Sequence, residues 1–442
     1  MQDLSNNILL NAVKAFSPLK LRVGGSLDDR LQYETGDFGR KCLPFVRNDS
    51  ALFGYNEGCL SRSRWDQVNK FFKKSGALAI FGLNALNGRV PLQDGSLGGP
   101  WNHTNAASLI RYSANKGYNI FGWELGNELS GKGIRARIDV DQYAADTKSL
   151  KKIVDQIYKD NTLKPLIIAP GGNFEVEWYT QFIKLTKTPA SLDVITHHMY
   201  ILGPGVDDHL VDKILDPSRL DDVASVFSKL RVILRNSGSS SKAWVGEAGG
   251  AYNSGRNFVT NAFVSSFWYL DQLGMSASYD TKSFCRQSLI GGNYGLLNTI
   301  NFKPNPDYYS ALLWHRLMGT KVLSTNFIGT KKIRAYAHCA RDSNGVALVL
   351  LNLDLKKTTH VQVNIKEAGH GKKTREEYHL TAKDENLHSQ TVLLNGRALN
   401  VNSKGNIPAL KPVEVDGLRP IKLAPVSIVF AHLPYVHVPA CI

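Results

Sequence analysis

The segment Asn119-Ile120-Phe121-Gly122-Trp123-Glu124-Leu125-Gly126-Asn127-Glu128 is the most informative stretch of this sequence. A short apolar run stops at a glycine, and an amide and a carboxyl side chain follow at once. Such a run is typical of a buried parallel strand whose carboxyl end opens onto a polar loop. Because the strand holds that carboxyl group rigidly, the segment predicts an α/β sheet with a chemical site at one edge.

Other apolar segments of the first three quarters of the chain end in the same way, on Gly, Asn, Glu or His. The predicted strands are residues 19–23, 77–83, 119–125, 166–169, 194–196, 243–245 and 275–278. Helical patterns lie between them at residues 65–75, 140–159, 221–236 and 257–273. Strands that alternate with helices predict a parallel sheet, with its chemistry in the loops after the strands.

The number of strands favours an incomplete barrel. Seven strands are visible rather than eight, and residues 4–16 open the chain directly as a helix. We therefore expect residues 1–318 to form a (β/α)8 TIM barrel from which the first strand is missing.

The pattern changes near Gly319 to short alternating strands without helices. The predicted strands there are residues 332–339, 346–353, 359–365, 376–381, 391–394 and 427–433. This pattern is typical of a β-sandwich, which we assign to residues 319–442. Residues 366–375 and 402–420 are predicted to be exposed loops.

Composition excludes several classes of protein. The chain has 442 residues, 43% of them hydrophobic, and carries 53 Lys and Arg against 38 Asp and Glu. It can bury a large core, and no apolar run approaches the ~18 residues of a membrane span. No nucleotide- or nucleic-acid-binding motif is present, so the net charge of +15 favours an acidic polysaccharide as partner. We expect a monomer without a cofactor.

The five cysteines leave two interpretations open. Cys42 lies near Cys59, and Cys339 shares the C-terminal region with Cys441, so two disulfides with Cys285 left over are plausible. Reduced, buried thiols are the alternative.

Signals for the cellular compartment conflict. The sequons that begin at Asn48 and Asn102 favour glycosylation in the secretory pathway. The first residues, however, lack the basic start and apolar stretch of a signal peptide.

Two strand ends carry the residues suited to catalysis. Glu128 follows one strand and Glu247 closes another, in Ala243-Trp244-Val245-Gly246-Glu247. Glycosidic cleavage needs such a pair, one carboxyl to protonate the leaving oxygen and one to attack the anomeric carbon. Either Glu could instead anchor a loop through a salt bridge, and we assign that structural role to Glu124.

Other chemistries lack support. His197 and His198 are adjacent on a strand and point to opposite faces, and no zinc-ligand spacing accompanies them, so no metal is expected. One of these histidines is expected at the rim of the site with Tyr200, and the other in the core. No Gly-x-Ser-x-Gly elbow for serine catalysis is present.

Several segments taken together resemble a known family. They are Leu21-Arg22-Val23-Gly24-Gly25, Trp123 to Glu128, Trp244-Val245-Gly246-Glu247, Ala251-Tyr252-Asn253-Ser254-Gly255, Gly291-Gly292-Asn293-Tyr294, Asp307-Tyr308-Tyr309 and Gly319-Thr320-Lys321. The chain resembles the heparanase-like β-glucuronidases of glycoside hydrolase family 79, and most of all their plant members, over nearly its whole length.

The resemblance implies a retaining β-glucuronidase with a (β/α)8 barrel and a small β-sandwich. It also implies a protein secreted to the cell wall or apoplast, or held in the vacuole or lysosome. Family members carry a signal peptide, sandwich strands and the first barrel strand ahead of the opening helix. We therefore expect Met1 to mark a truncated form.

By motif position the resemblance also assigns residue roles. Glu128 becomes the acid/base, Glu247 the nucleophile, and Asn127 the partner of the sugar 2-hydroxyl. The remaining substrate-binding residues are Asp29 for sugar hydroxyls, Tyr294 with backbone groups of Asn253 and Ser254 for the uronic carboxylate, and Tyr252, Tyr200 and Arg22. The turn Tyr252-Asn253-Ser254-Gly255 departs from the glycine-rich turn of the animal enzymes.

A charge hypothesis follows for the two carboxyls. Burial and the Glu247 charge would keep Glu128 protonated near neutrality, while Arg22 and Tyr200 would keep Glu247 ionised. An acidic pH optimum is expected. Two alternatives stay open: a non-catalytic protein that binds acidic polysaccharide, and a glycosidase of the same clan that acts on neutral sugars.

Overall fold

A parallel sheet curved into a nearly closed barrel forms the first part of the molecule. The computed structural model describes residues 3–36, 39, 41–364, 374–436 and 438–442. Within these residues the sheet has seven strands, and each pairs in parallel with the next in chain order. They are β1 (Leu19–Val23), β2 (Ala77–Leu83), β3 (Ile120–Leu125), β4 (Leu166–Asn173), β5 (Val194–Met199), β6 (Lys242–Ala248) and β7 (Ser283–Arg286).

Helices alternate with these strands and cover their outer face. They are α1 (Asn7–Lys14), α2 (Arg62–Ser75), α3 (Thr104–Asn115), α4 (Val140–Ile157), α5 (Val176–Lys187), α6 (Leu210–Ile214), α7 (Pro217–Asp221), α8 (Ala224–Ser237), α9 (Ser265–Ser278) and α10 (Pro306–Leu317). Short two-stranded ladders also form between loop segments, and one of them pairs Gly203–Pro204 with Ala251–Tyr252. No helix of the described residues combines the length and apolarity that a membrane crossing needs.

The predicted barrel is confirmed, with one strand misplaced. Residues 275–278 are not a strand but the last turn of α9, and the seventh strand is β7. Since α9 is buried on nearly all sides, it lacks the polar stripe by which a helix is recognised in a sequence. Its final apolar residues therefore resemble a buried strand.

Capping explains where α2 begins and ends. The Ser61 hydroxyl accepts a hydrogen bond from the Arg64 N–H at the start of α2. The helix ends at Gly76, whose φ of 70° is left-handed. A side chain at Gly76 would also lie 2.4 Å from the Ser17 hydroxyl just before β1.

The predicted antiparallel part is confirmed as two packed sheets. Its strands are β8 (Met318–Leu323), β9 (Ile333–Ala340), β10 (Val346–Asn352), β11 (Thr359–Val361), β12 (Thr374–Ala382), β13 (Val392–Leu394), β14 (Arg397–Ala398), β15 (Val413–Asp416), β16 (Ile421–Leu423) and β17 (Ile428–Leu433). The larger sheet runs β8-β9-β10-β17-β12-β13-β14, with β15 also on β12, and β11 pairs with β16.

Strand β10 shows how this part packs. Val346, Leu348 and Leu350 face the small β11–β16 sheet, whereas Val349 and Leu351 join the core shared with the barrel. Side chains of a strand alternate between its two faces, so one sheet covers two cores. The division at residues 318 and 319 stays a prediction.

The loop predictions for this part were only partly right. Residues 365–373 lie outside the described part of the chain, but Arg375 is buried within β12, where its Nε donates to Glu377 at 2.8 Å. Within 402–420, residues Val413–Asp416 form β15. Charged side chains hid β15 and the first residues of β12, of which residues 376–381 were predicted as a strand, from a search for apolar alternation.

Both disulfides are confirmed. Cys42 bonds to Cys59 with the Cα atoms 5.2 Å apart, and Cys339 bonds to Cys441 at 5.3 Å. Cys285 on β7 is free, and burial raises the pKa of its thiol to about 11.

Candidate active site

Glu128 and Glu247 meet at the carboxyl edge of the sheet, with His198 between them. The His198 Nδ1 lies 3.1 Å from a Glu128 oxygen and 4.0 Å from a Glu247 oxygen. One oxygen of each carboxylate lies within 4.8 Å of the other carboxylate. The structure therefore brings together the two carboxyls that the sequence singled out.

Glu247 is held in its ionised form. Its carboxylate accepts hydrogen bonds from the Tyr200 hydroxyl at 2.5 Å and from Arg22 Nη1 at 2.9 Å. Burial opposes the charge, but His198, Arg22 and Tyr200 outweigh it and keep the pKa of Glu247 below its ordinary value. The predicted roles of Arg22 and Tyr200 toward Glu247 agree with these contacts.

Arg22 links three site residues from its place on β1. Its Nη2 donates to the side-chain oxygen of Asn127 at 2.8 Å, and its Nε donates to the fully buried Glu124. Burial opposes the guanidinium charge, yet Glu124 and Glu247 raise the pKa of Arg22. Because Arg22 occupies the oxygen of Asn127, the amide nitrogen is left to donate, and it points to the Ser26 hydroxyl at 3.5 Å.

Glu124 is fully buried and paired with Arg22, and its structural role stays a prediction. Besides Arg22 it accepts from the Thr196 hydroxyl at 3.2 Å. That same hydroxyl accepts from the N–H of Gly171 at 2.9 Å, and the Gly171 carbonyl accepts from the N–H of Glu128 at 2.7 Å. A chain of hydrogen bonds thus joins Glu124 to the backbone of the candidate acid.

Asp29 has a different position from the one expected for a sugar ligand. It is 2% exposed, and its two oxygens accept from the N–H groups of Ala85 and Asn127, each at 2.8 Å. Burial raises the pKa of Asp29 to about 7, against the effect of these bonds. In this structure Asp29 supports the loop of Asn127, and its contact with sugar hydroxyls stays a prediction.

The predicted carboxylate-binding residues lie on two segments that a hydrogen bond joins. Asn253 and Ser254 follow β6 with left-handed φ values of 55° and 69°. The Ser254 carbonyl accepts from Asn293 at 2.6 Å, which joins this turn to the segment of Tyr294. Gln287 donates to the Tyr294 hydroxyl at 3.3 Å, and Tyr252 is 43% exposed.

The two histidines are divided as predicted. His198 faces the carboxylates, whereas His197 is fully buried against the rings of Phe174 and Phe227. Burial lowers the pKa of His197 to about 3, so it stays neutral. Glu128, His198 and Glu247 are spaced closely enough to share a divalent cation, but the Arg22 guanidinium already neutralises the Glu247 side of that space.

Some site residues were not found from the sequence. Thr196, Ser26 and Gln287 contact the residues described above, but they lie in no catalytic motif. Ser26 directly follows the Gly24-Gly25 turn, which was the one available signal. The sequon residues Asn48 and Asn102 are both exposed, and their glycosylation stays a prediction.

Comparison with known proteins assigns the chain to a family. The family profile described as "Glycosyl hydrolase family 79, N-terminal domain" matches residues 1–274. The chain belongs to glycosyl hydrolase family 79. Heparanase-like protein 3 of Arabidopsis thaliana is 56% identical over 99% of this chain and 86% of its own length. Baicalin-beta-D-glucuronidase of Scutellaria baicalensis is 48% identical over 98% and 84%.

Solved structures confirm the fold of this family 79 hydrolase. A 4-O-alpha-L-rhamnosyl-beta-D-glucuronidase from Fusarium oxysporum superposes with a TM-score of 0.67 at 15% identity, covering 96% of this chain and 91% of its own. A GH51 arabinofuranosidase from Xanthomonas axonopodis pv. citri gives 0.68 at 16% identity, covering 96% and 89%. The predictions of the family and of a glycoside hydrolase are confirmed.

Proposed function

We propose that this family 79 hydrolase cleaves β-glucuronides with retention of configuration. The observation that carries the proposal is the pair Glu128 and Glu247, with carboxylate oxygens within 4.8 Å of each other. Retaining glycosidases hold their carboxyls about 5–5.5 Å apart, and inverting ones about 6.5–9.5 Å. A named β-glucuronidase at 48% identity supports the choice of sugar.

The reaction proceeds in two displacements. Ionised Glu247 attacks the anomeric carbon while Glu128 gives its proton to the leaving oxygen, and a glycosyl ester forms on Glu247. Glu128 then takes a proton from water, which attacks the anomeric carbon and releases the sugar.

Recognition of the sugar uses the Asn127 amide and the two joined segments that carry Asn253 and Tyr294. Asn127 Nδ2 donates to the 2-hydroxyl, a contact that strengthens as the oxocarbenium-like transition state develops. Tyr294 and the backbone of Asn253 and Ser254 receive the uronic carboxylate, and Tyr252 flanks the leaving group. The natural substrate is a glucuronic acid linkage in a cell-wall glycan or in a glucuronide conjugate.

Secretion belongs to the same proposal. Two disulfides are typical of proteins that fold in an oxidising compartment. Exposed Asn48 and Asn102 are accessible to glycosylation. We propose a monomer in the cell wall or the vacuole.

The test compares hydrolysis of an aryl β-glucuronide by the parent, Glu128→Gln and Glu247→Gln. We expect each variant to lose at least about 1,000-fold in kcat/KM, since each removes one half of the mechanism. Glu177→Gln, an exposed position on α5, is the matched control and should keep the parent rate.

Two further readouts separate the alternatives. With Glu128→Ala, added azide should restore turnover and give the β-glucuronosyl azide, which requires a covalent intermediate. Faster cleavage of aryl β-glucoside than of the glucuronide would favour the neutral-sugar alternative. Equal rates for the parent and both Gln variants would contradict the assignment, as would binding of the glucuronide without turnover.

A further inference from the structure

A buried threonine hydroxyl bonds to both of the segments that carry Asn253 and Tyr294. Thr260 is 2% exposed, and its hydroxyl accepts from the N–H of Arg256 at 2.8 Å and donates to the Asn293 carbonyl at 2.6 Å. The Arg256 carbonyl lies 3.0 Å from the same hydroxyl, but a hydroxyl has one proton and the shorter contact takes it. Thr260 therefore connects the end of the turn after β6 to the residue before Tyr294.

A second hydrogen bond closes this connection. The N–H of Asn293 donates to the Ser254 carbonyl at 2.6 Å, two residues before Arg256. Both backbone groups of Asn293 are thus held, one by the turn and one by Thr260. The position of the next residue, Tyr294, relative to the turn depends on these two bonds.

The two segments approach so closely that side chains do not fit between them. At Gly255, a side chain would lie 2.3 Å from the Thr260 hydroxyl and 3.3 Å from the Tyr294 Cβ. At Gly292, it would lie 3.0 Å from the Tyr294 ring and 3.1 Å from the Ser254 Cα. Both glycines also have left-handed φ values, of 66° and 58°. The spacing of the segments is therefore set by contacts at this junction.

The turn that Thr260 holds presents free backbone donors. Asn253, Ser254 and Gly255 have left-handed φ values of 55°, 69° and 66°. The N–H groups of Asn253 and Ser254 make no hydrogen bond within the described residues. Successive N–H groups of a turn form a concavity that binds anions. Hydrogen bonds to a carboxylate are about twice as strong as those to a neutral hydroxyl, so such a turn distinguishes an acidic sugar from a neutral one.

We propose that Thr260 is a positioning residue that makes the site selective for acidic over neutral sugars. This inference rests on the proposed function, in which the turn and Tyr294 receive the uronic carboxylate. The Thr260 hydroxyl is buried and fully bonded, so it acts through its neighbours. It holds the N–H groups of Asn253 and Ser254 and the Tyr294 hydroxyl at a spacing that suits one carboxylate. Without it, a buried N–H and a buried carbonyl lose their partner and the two segments move apart.

Kinetics test the role of the hydroxyl. Thr260→Val keeps the side-chain shape but cannot hydrogen-bond. We expect KM for aryl β-glucuronide to rise at least about 5-fold with a smaller change in kcat, because the carboxylate is bound in both the ground state and the transition state. Thr260→Ser keeps a hydroxyl and should have a KM within about 2-fold of the parent.

Thr186→Val is the matched control. Thr186 is also 2% exposed, and its hydroxyl donates to the Phe182 carbonyl at 2.8 Å within α5. This variant should keep the parent KM. A folded Thr260→Val with the parent KM, or with a lower kcat alone, would overturn the proposal.

A binding measurement separates this inference from the proposed function. Inhibition constants for glucuronate and for neutral glucuronamide are measured with the parent and with Thr260→Val. The parent should bind glucuronate at least about 5-fold more tightly, and the variant should lose most of that preference. An unchanged preference in the variant would overturn the role of Thr260 alone. A parent without the preference, or without turnover of the glucuronide, would overturn both.

Gly292→Ala tests the same junction with the Thr260 hydroxyl intact. Its side chain would contact Ser254 and the Tyr294 ring, so it should part the segments and raise KM in the same way. Gly117→Ala is the control, because its φ of 64° imposes similar strain with nothing within 4 Å. Thermal melting of each variant reports folding. Should Thr260→Val not fold, a folded Gly292→Ala with the parent KM would overturn the proposal.

Discussion

At the scale of single residues, Arg22 determines the charge state of the active site. It lies between two carboxylates, Glu124 and Glu247, and it also orients Asn127. Because the guanidinium cannot lose its proton in this setting, it stabilises the ionised form of Glu247. The nucleophile is therefore ready for attack at pH values where an isolated carboxyl would begin to protonate.

Tyr200→Phe tests the hydrogen bond to the nucleophile. The Tyr200 hydroxyl donates to ionised Glu247, and its loss removes a stabilisation that only the charged form has. The pKa of Glu247 should rise, and the acid limb of kcat/KM against pH should move up by about one unit. An acid limb in the same place, measured on aryl β-glucuronide, would show that this bond does not set the pKa.

Glu124→Gln should move the same limb in the opposite direction. The substitution keeps the side-chain shape but removes a negative charge beside Arg22. Within the described residues, Glu247 is then the one carboxylate to which Arg22 donates, so the guanidinium stabilises its ionised form more strongly. The pKa of Glu247 should fall, so the acid limb should move to lower pH while kcat decreases. A lower kcat with an unmoved pH profile would assign Glu124 a purely structural role.

At the scale of elements, the loop after β3 positions Glu128, the candidate acid. Glu128 has a left-handed φ of 56°, which its N–H bond to Gly171 on β4 holds in position. Gly126 precedes it with a φ of 66°, and a side chain there would lie 2.8 Å from both Ala85 and Leu129. The loop can be this tight only because residue 126 has no Cβ.

Gly126→Ala should therefore displace Asn127 and Glu128 and reduce kcat by at least about 10-fold. Gly117→Ala is the matched control, because its φ of 64° imposes the same backbone strain with nothing within 4 Å. We expect Gly117→Ala to cost about 1 kcal/mol of stability without loss of kcat. Equal kcat values for the two variants would contradict the role of the close contacts.

At the scale of the whole molecule, the barrel and the sandwich share a buried ion pair. Asp271 of α9 is fully buried and accepts from Arg334 Nε and from the Tyr336 hydroxyl, each at 2.7 Å. Both partners lie on β9. The buried ion pair couples the two parts, because separating the barrel from the sandwich would leave a buried charge without its partner.

Asp271→Ala should lower the free energy of unfolding by about 3–5 kcal/mol. Chemical denaturation followed by fluorescence should show one transition for the parent, because the two parts share a core. Asp222→Ala is the control, since its pair with Arg219 is exposed and should contribute less than about 1 kcal/mol. A destabilisation no larger than that of the control would show that the buried ion pair does not stabilise the junction between the barrel and the sandwich.

The amino-acid sequence alone located six of the seven barrel strands and the two glutamates, because each has a local signature. The hydrophobic period and the polar strand ends are visible in a short window, and the family resemblance added residue roles. The last turn of α9 was misread, since a helix buried on all sides has no polar stripe. Arg375 was misread because its guanidinium also donates to the carbonyls of Gly417 and Arg419, which lie 42 and 44 residues away in the sequence.

Long-range contacts account for the rest. The Arg22–Glu124 pair joins residues 102 positions apart, and the Arg22–Glu247 pair joins residues 225 positions apart. Asp29 turned out to hold the Asn127 loop because two backbone N–H groups converge on it in space. The energy of packing depends on which side chains contact each other. The pattern of apolar and polar residues in a sequence indicates which face of a helix or strand a residue lies on, but not which residues pack against it.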